Sequence, residues 1–180
     1  MIRFYTALTG AAALCATLAT AQSAPDTMTV TIDGDQSVLP LSTTFNRAQS
    51  RWSTIALPTP STPIDFVDEI SAIGYLLDGN AVDLTLHVYF NVWSVEGALR
   101  IEEPSIDITK AGDTGRWETA NQDIDPVITL TKYERSDAGV LVEATFSGDP
   151  VYWATLYKKD EDRGPAQAVS GDFSLFFPAQ

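Results

Sequence analysis

Along most of the chain apolar and polar residues alternate with a period of two, the signature of half-buried strands in antiparallel sheets. Residues 81–93 carry it most regularly: Val82, Leu84, Leu86, Val88, Phe90 and Val92 fall on one face. Asp83, Thr85, His87, Tyr89, Asn91 and Trp93 fall on the other. A helix, turning about 100° per residue, would scatter those apolar positions around its axis. The same rhythm sets Met28, Val30 and Ile32 against Thr27, Thr29 and Thr31, and Val140, Val142, Ala144 and Phe146 against Leu141, Glu143, Thr145 and Ser147. Near the C-terminus Val169, Phe173, Leu175 and Phe177 repeat it. Segments 51–57, 70–77, 98–101, 105–109, 127–133 and 151–158 read as further strands, several rich in β-branched and aromatic residues, which makes about ten strands.

Turn chemistry agrees. Asp33-Gly34-Asp35 and Asp78-Gly79-Asn80 offer the positive φ values that tight hairpins need, and the second predicts that 70–77 pairs with 81–90. Residues 111–115, 136–139 and 160–165 read as reversals. Pro58, Pro60 and Pro63 remove ladder donors and predict an extended connection over 57–63, and a short helical turn is expected at 65–70. Many short strands with Gly and Pro turns predict an all-β fold: an antiparallel two-sheet sandwich, immunoglobulin-like or jelly-roll-like. The alternative is a closed β-barrel.

The first 21 residues change the picture. Arg3, an apolar run from Phe4 to about Leu18, and Ala19-Thr20-Ala21 have the layout of a cleaved secretory signal, so residues 22–180 are expected to form one domain, periplasmic or secreted. The apolar run is shorter than the ~20 residues of a bilayer span. Cys15 follows Leu14 inside that run and leaves with it, so neither a lipid anchor nor a disulfide is expected. Cleavage after Ala21 leaves 159 residues in which 10 bases face 24 acids. Nucleic acid is therefore not expected as a partner: the adjacent bases Lys158-Lys159 run directly into Asp160-Glu161-Asp162.

Toward the C-terminus, residues 139–148 (GVLVEATFSG) followed by Val169-Ser170-Gly171-Asp172-Phe173-Ser174-Leu175 carry a Thr-Phe-Ser-Gly segment and a closing Ser-Gly-x-Phe-Ser strand. This region resembles the paired closing strands of uncharacterised secreted bacterial β-sandwich proteins. The resemblance covers about the last 45 residues and implies fold rather than activity.

Few chemistries are equipped. His87 is the one histidine, on the polar side of the most regular strand; without a Gly-x-Ser-x-Gly elbow it reads as a sheet residue rather than a hydrolase base. Zinc lacks its usual nitrogen and sulfur ligands. Calcium, a hard cation taking oxygen ligands, has candidate loops at Asp33/Asp35, Asp123/Asp125 and Asp160/Asp162, none with EF-hand spacing; Asp is also simply a turn former. A glycosidase needs two carboxylates facing across a cleft, and Glu118, Glu134 and Glu143 read as solvated sheet residues instead. The aromatic residues argue better for binding. Tyr89 and Trp93, opposite the apolar row and about 13 Å apart along the strand, could stack sugar rings or anchor a protein, with Trp117 as a third ring. The competing account covers that face with a loop or a neighbouring strand.

The expectation is thus a non-enzymatic binding or interaction domain. Two alternatives are a carbohydrate-binding or carbohydrate-hydrolysing module and an assembly protein pairing through a strand edge.

Overall fold

The computed structural model describes residues 26–41, 51–55, 64–119, 126–154, 161 and 163–179. The expected signal segment, the whole proline-rich connection over 57–63, and the acidic pairs Asp123/Asp125 and Asp160/Asp162 lie outside these residues. Twelve strands run in chain order: β1 Thr27–Ile32, β2 Asp35–Pro40, β3 Arg51–Thr54, β4 Ile64–Asp78, β5 Ala81–Val95, β6 Ala98–Lys110, β7 Arg116–Glu118, β8 Val127–Ser136, β9 Gly139–Gly148, β10 Val151–Trp153, β11 Arg163–Ala166 and β12 Val169–Pro178. They form two antiparallel sheets of five and seven strands, ordered β2-β1-β12-β9-β8 and β11-β10-β7-β6-β5-β4-β3. The sandwich is therefore open and not a closed barrel. Among the described residues no helix is long and apolar enough to cross a membrane.

The predicted alternation sets the core. Leu84, Leu86, Val88, Phe90 and Val92 of β5 are buried against Met28, Val142, Phe146, Phe173 and Leu175 of the five-stranded sheet. Phe173 lies between Phe90 and Phe146, with ring centroids 6.4 and 6.5 Å away. Each such buried side chain contributes roughly 1.5–3 kcal/mol. At one corner β2 passes so close to β4 that a Cβ on Gly74 would stand 2.9 Å from Leu39 Cβ. Only glycine admits that approach without displacing Leu39.

Both predicted Asp-Gly hairpins form. Asp33 and Gly34 take φ of 50° and 95° between β1 and β2, and Gly79 takes 58° between β4 and β5. The helical turn expected at 65–70 does not form, since those residues belong to β4 and pair with Ser94 through Phe90. The segment resembled a helix because both of its faces are partly covered: Val67 and Asp68 are buried in succession. Segments 98–101 and 105–109 are one strand, β6, interrupted by a bulge at Glu103-Pro104. Strands β2, β7 and β11, short or lying at sheet edges, complete the twelve. The two segments that carry the C-terminal motif, β9 and β12, are paired neighbours, with Phe146 opposite Gly171.

Candidate functional site

Inward-facing Leu86, Val88, Phe90 and Val92 turn His87, Tyr89, Asn91 and Trp93 to the outer face of the seven-stranded sheet. Register then decides what surrounds them, because directly opposed residues of an antiparallel pair share a face. Trp93 lies between Val67 and Arg100, Asn91 between Glu69 and Glu102, Tyr89 between Ser71 and Ser105, and His87 between Ile73 and Asp107. Arg51 of β3 stands beside Ser71.

Two irregularities create this arrangement. From Asp78↔Ala81 and Leu77↔Val82 an unbroken ladder would oppose Leu76 to Asp83; a bulge sets Leu76 against Leu84, which restores agreement between the buried faces of β4 and β5. In β6, Glu103 adopts φ of 53°, a left-handed value costing about 1–3 kcal/mol for a residue with a side chain. Pro104 follows it and needs no ladder hydrogen bond of its own. The bulge brings the Glu103 carboxylate within 2.8 Å of Asn91 Nδ2, which donates to it, while the Tyr89 hydroxyl donates to Asn91 Oδ1 at 3.4 Å. Asn91 itself is buried, so a half-buried tyrosine and an exposed carboxylate are linked through a held amide.

One rank further along, Ser71 Oγ and His87 Nε2 are 2.8 Å apart, and His87 Nδ1 is 3.8 Å from Asp107 Oδ2. The chemical order is that of a hydrolase relay, but its setting is not. Ser71 is 3% exposed and sits mid-strand, paired with Arg51 on one side and Tyr89 on the other, rather than on a sharp turn. Acyl transfer requires an accessible nucleophile and amide donors aimed at the developing oxyanion. Here the flanking backbone is engaged in ladders. The His87–Asp107 separation also exceeds hydrogen-bond reach. Burial, and second the positive charge of Arg51, hold the His87 pKa below its ordinary 6.5. Burial raises that of the Tyr89 phenol, and the fields of Glu69 and Glu103 push it the same way.

The expected trio of rings is not gathered. Tyr89 and Trp93 share the outer face and are half-buried there, and the indole Nε1 of Trp93 is enclosed with no hydrogen-bond partner among the described residues. Trp117 pairs with inward-facing Ile108, packs against the core, lies 4.7 Å from the Tyr152 ring and carries Lys110 Nζ over its own. The acidic turn is likewise committed. Asp33 Oδ1 accepts from Ala168 N at 3.0 Å and Oδ2 from Gln167 Nε2 at 2.9 Å, whereas Asp35 is exposed at the start of β2. Among the described residues no group of three or more His, Cys, Asp or Glu side chains is gathered as a metal site; Asp160 and Asp162 lie outside those residues. Sequence reasoning missed Ser71, Asp107 and Glu103. Alternation alone could have put Ser71 and Asp107 on outer faces, but the bulged registers that bring them to His87 leave no local signal.

A second polar cluster lies between the sheets. Asp68, 0% exposed, accepts from Thr54 Oγ1 at 2.7 Å and from the Tyr133 hydroxyl, and pairs with Arg135 Nε at 3.3 Å. Arg135 stacks over Phe66, 4.2 Å from the ring centroid, and Phe66 stacks on Tyr133.

Compared with protein families, curated proteins and solved structures, the chain matches none.

Proposed function

We propose that this protein is a non-enzymatic binding domain, working in the periplasm or outside the cell, that takes a saccharide on the outer face of its seven-stranded sheet. The observation that carries the reading is the row of Tyr89 and Trp93 on β5, joined to Glu103 through Asn91. A pyranose offers a flat C–H face and a rim of hydroxyls. Aromatic rings match the first, and oriented carboxylates and amides match the second. Strand β5 is paired along its length with β4 on one side and β6 on the other, so its backbone is already engaged and recognition beside Tyr89 and Trp93 falls to side chains. That disfavours capture of an extended peptide by strand addition.

Affinity electrophoresis of the purified protein through soluble polysaccharides of differing charge and linkage tests this. At least one polysaccharide should retard it, and Tyr89→Ala or Trp93→Ala should abolish the retardation. Unaltered mobility across the panel, or retardation that persists in both variants, would overturn the reading.

A second reading, assembly through a strand edge, draws on Val38 of β2 and Val127 of β8, each 62% exposed on the edge strands of the five-stranded sheet. Flat apolar edges invite pairing. Concentration-dependent oligomers that disappear in Val127→Lys would support it; a monomer at all concentrations would dismiss it.

A further inference from the structure

We infer that Asp78 is a site of spontaneous covalent modification, at which the main chain is rerouted through the side-chain carboxyl to give an isoaspartyl link to Gly79. The inference is independent of the saccharide reading. Asp-Gly stands at two hairpin turns, Asp33-Gly34 between β1 and β2 and Asp78-Gly79 between β4 and β5, and the fold treats the two differently. Asp33 is clamped. Its Oδ1 accepts from Ala168 N at 3.0 Å, its Oδ2 accepts from Gln167 Nε2 at 2.9 Å, and its own N–H donates to the Ala168 carbonyl at 2.9 Å. Asp78 is exposed at the last pair of its ladder, opposite Ala81, and among the described residues its carboxylate accepts no hydrogen bond. The register shift between Leu76 and Leu77 and the 41% exposure of Leu77 leave this strand end weakly anchored and open to fraying. Neither turn is crowded, since a Cβ on Gly34 or Gly79 would meet nothing within 4 Å, so the difference lies in the two aspartates.

The conversion needs water alone. The Gly79 amide nitrogen bonds to Asp78 Cγ and gives up its proton, and one oxygen of the neutral carboxyl departs with it as water, which closes a five-membered succinimide. Water then adds back at one of the two carbonyl carbons. Opening at Cγ restores aspartate. Opening at the main-chain carbonyl breaks that carbon's bond to nitrogen and leaves the chain running through Cγ, with an extra methylene in the turn. Glycine permits the closure because it sets no side chain against the ring.

The test holds the purified protein warm in mildly acid buffer for several weeks, with circular dichroism verifying that it stays folded. Isoaspartate is read as methyl acceptance from S-adenosylmethionine through a protein isoaspartyl methyltransferase and located by peptide mapping. The folded protein should accumulate label in the peptide spanning Asp78. The peptide spanning Asp33 should gain it at least about tenfold more slowly, because that carboxylate must first surrender a charge-assisted hydrogen bond. Asp78→Glu, whose longer arm would have to close a six-membered ring, should lose the label at that position. In urea both wild-type peptides should gain label at similar rates, since the clamp on Asp33 is gone. Comparable conversion at both turns of the folded protein, or label absent from the Asp78 peptide while the unfolded chain gains it, would overturn the inference. A preference for Asp78 that survives in urea would overturn it too, by tracing the difference to the flanking residues instead of the fold.

Discussion

Asp68 and His87 stand on adjacent strands of one sheet but face opposite ways, and their surroundings differ accordingly. Asp68 points between the sheets, where Thr54, Tyr133 and Arg135 close around it and tie β3 and β4 of one layer to β8 of the other. His87 points outward into a chain of polar groups that ends in half-wet or wet side chains: Asp107, Tyr89 and Glu103. A buried charge with its partners supplied holds position and has nothing left to offer a ligand. The outer cluster combines two contacts of 2.8 Å with longer ones of 3.4 and 3.8 Å, and its rim side chains Tyr89 and Glu103 reach solvent. The inner cluster therefore maintains the fold, and the outer one is the surface proposed for contact.

The sharpest way to break this division is Asp68→Ala, which leaves the Arg135 charge and the Tyr133 hydroxyl without their acceptor. It should cost about 2–3 kcal/mol in chemical denaturation, because the Tyr133 hydroxyl is left without its acceptor while the exposed Arg135 guanidinium can turn to water. Saccharide affinity of the folded fraction should not change. A small loss of stability together with lost binding would reverse the assignment of the two clusters.

Next in size are Tyr89→Ala and Trp93→Ala. Each should weaken saccharide binding by about 2 kcal/mol, roughly 30-fold, the scale of an aromatic anchor. Stability should move by less than about 1 kcal/mol, because both rings stand half outside the packed layer. Trp117→Ala should do the opposite, since that ring packs on Tyr152 and the core. Equal effects of all three on binding would mean that Trp117 belongs to the contact surface after all.

Tyr133→Phe comes third. Losing a hydrogen bond to a carboxylate should cost about 1.5 kcal/mol near neutral pH. Burial, and second the Asp68 carboxylate, raise the pKa of Tyr133 far above its ordinary 10.0. Above pH 10 the unfolded phenol gives up its proton while the folded one keeps it, so stability should fall as pH rises from there. The phenylalanine variant should lack this phenol's share of the alkaline loss. An alkaline limb unchanged in the variant would show that Tyr133 is wetter than its contacts imply.

These contrasts also explain what the sequence could reveal. Period two sufficed to divide β5, and with it the core, because Leu84 to Val92 are apolar only on the buried side. It failed at 65–70, where Asp68 is polar yet buried: its partners Tyr133 and Arg135 lie far along the chain, so nothing local marks it as an inward residue. Strand content was legible at 98–109, but Glu-Glu-Pro looked like a break when it is a bulge inside one strand. Tyr89 and Trp93 could be placed together because they share a strand. Trp117 could not, since its face depends on β7 pairing through Ile108. The candidate site was thus readable along one strand and hidden across strands, where register decides.

The smallest effect tests how open the outer cluster is. Burial, and second the charge of Arg51, hold the His87 pKa below 6.5, although the Asp107 carboxylate 3.8 Å away would favour the protonated ring. The folded state then binds its proton later than the unfolded chain does as pH falls. Below about 6.5 the unfolded state holds more protons, so the stability contributed by neutral His87 should decline toward its lowered folded value. His87→Gln retains an amide able to reach Ser71 and removes the titration. Its denaturation midpoint should therefore vary less than wild type between pH 7 and 5, with other carboxylates common to both. The reverse result, wild type gaining stability relative to the variant as pH falls, would mean that protonation closes a His87–Asp107 ion pair. The outer cluster would then behave like the inner one, as a clamp rather than a surface awaiting a ligand.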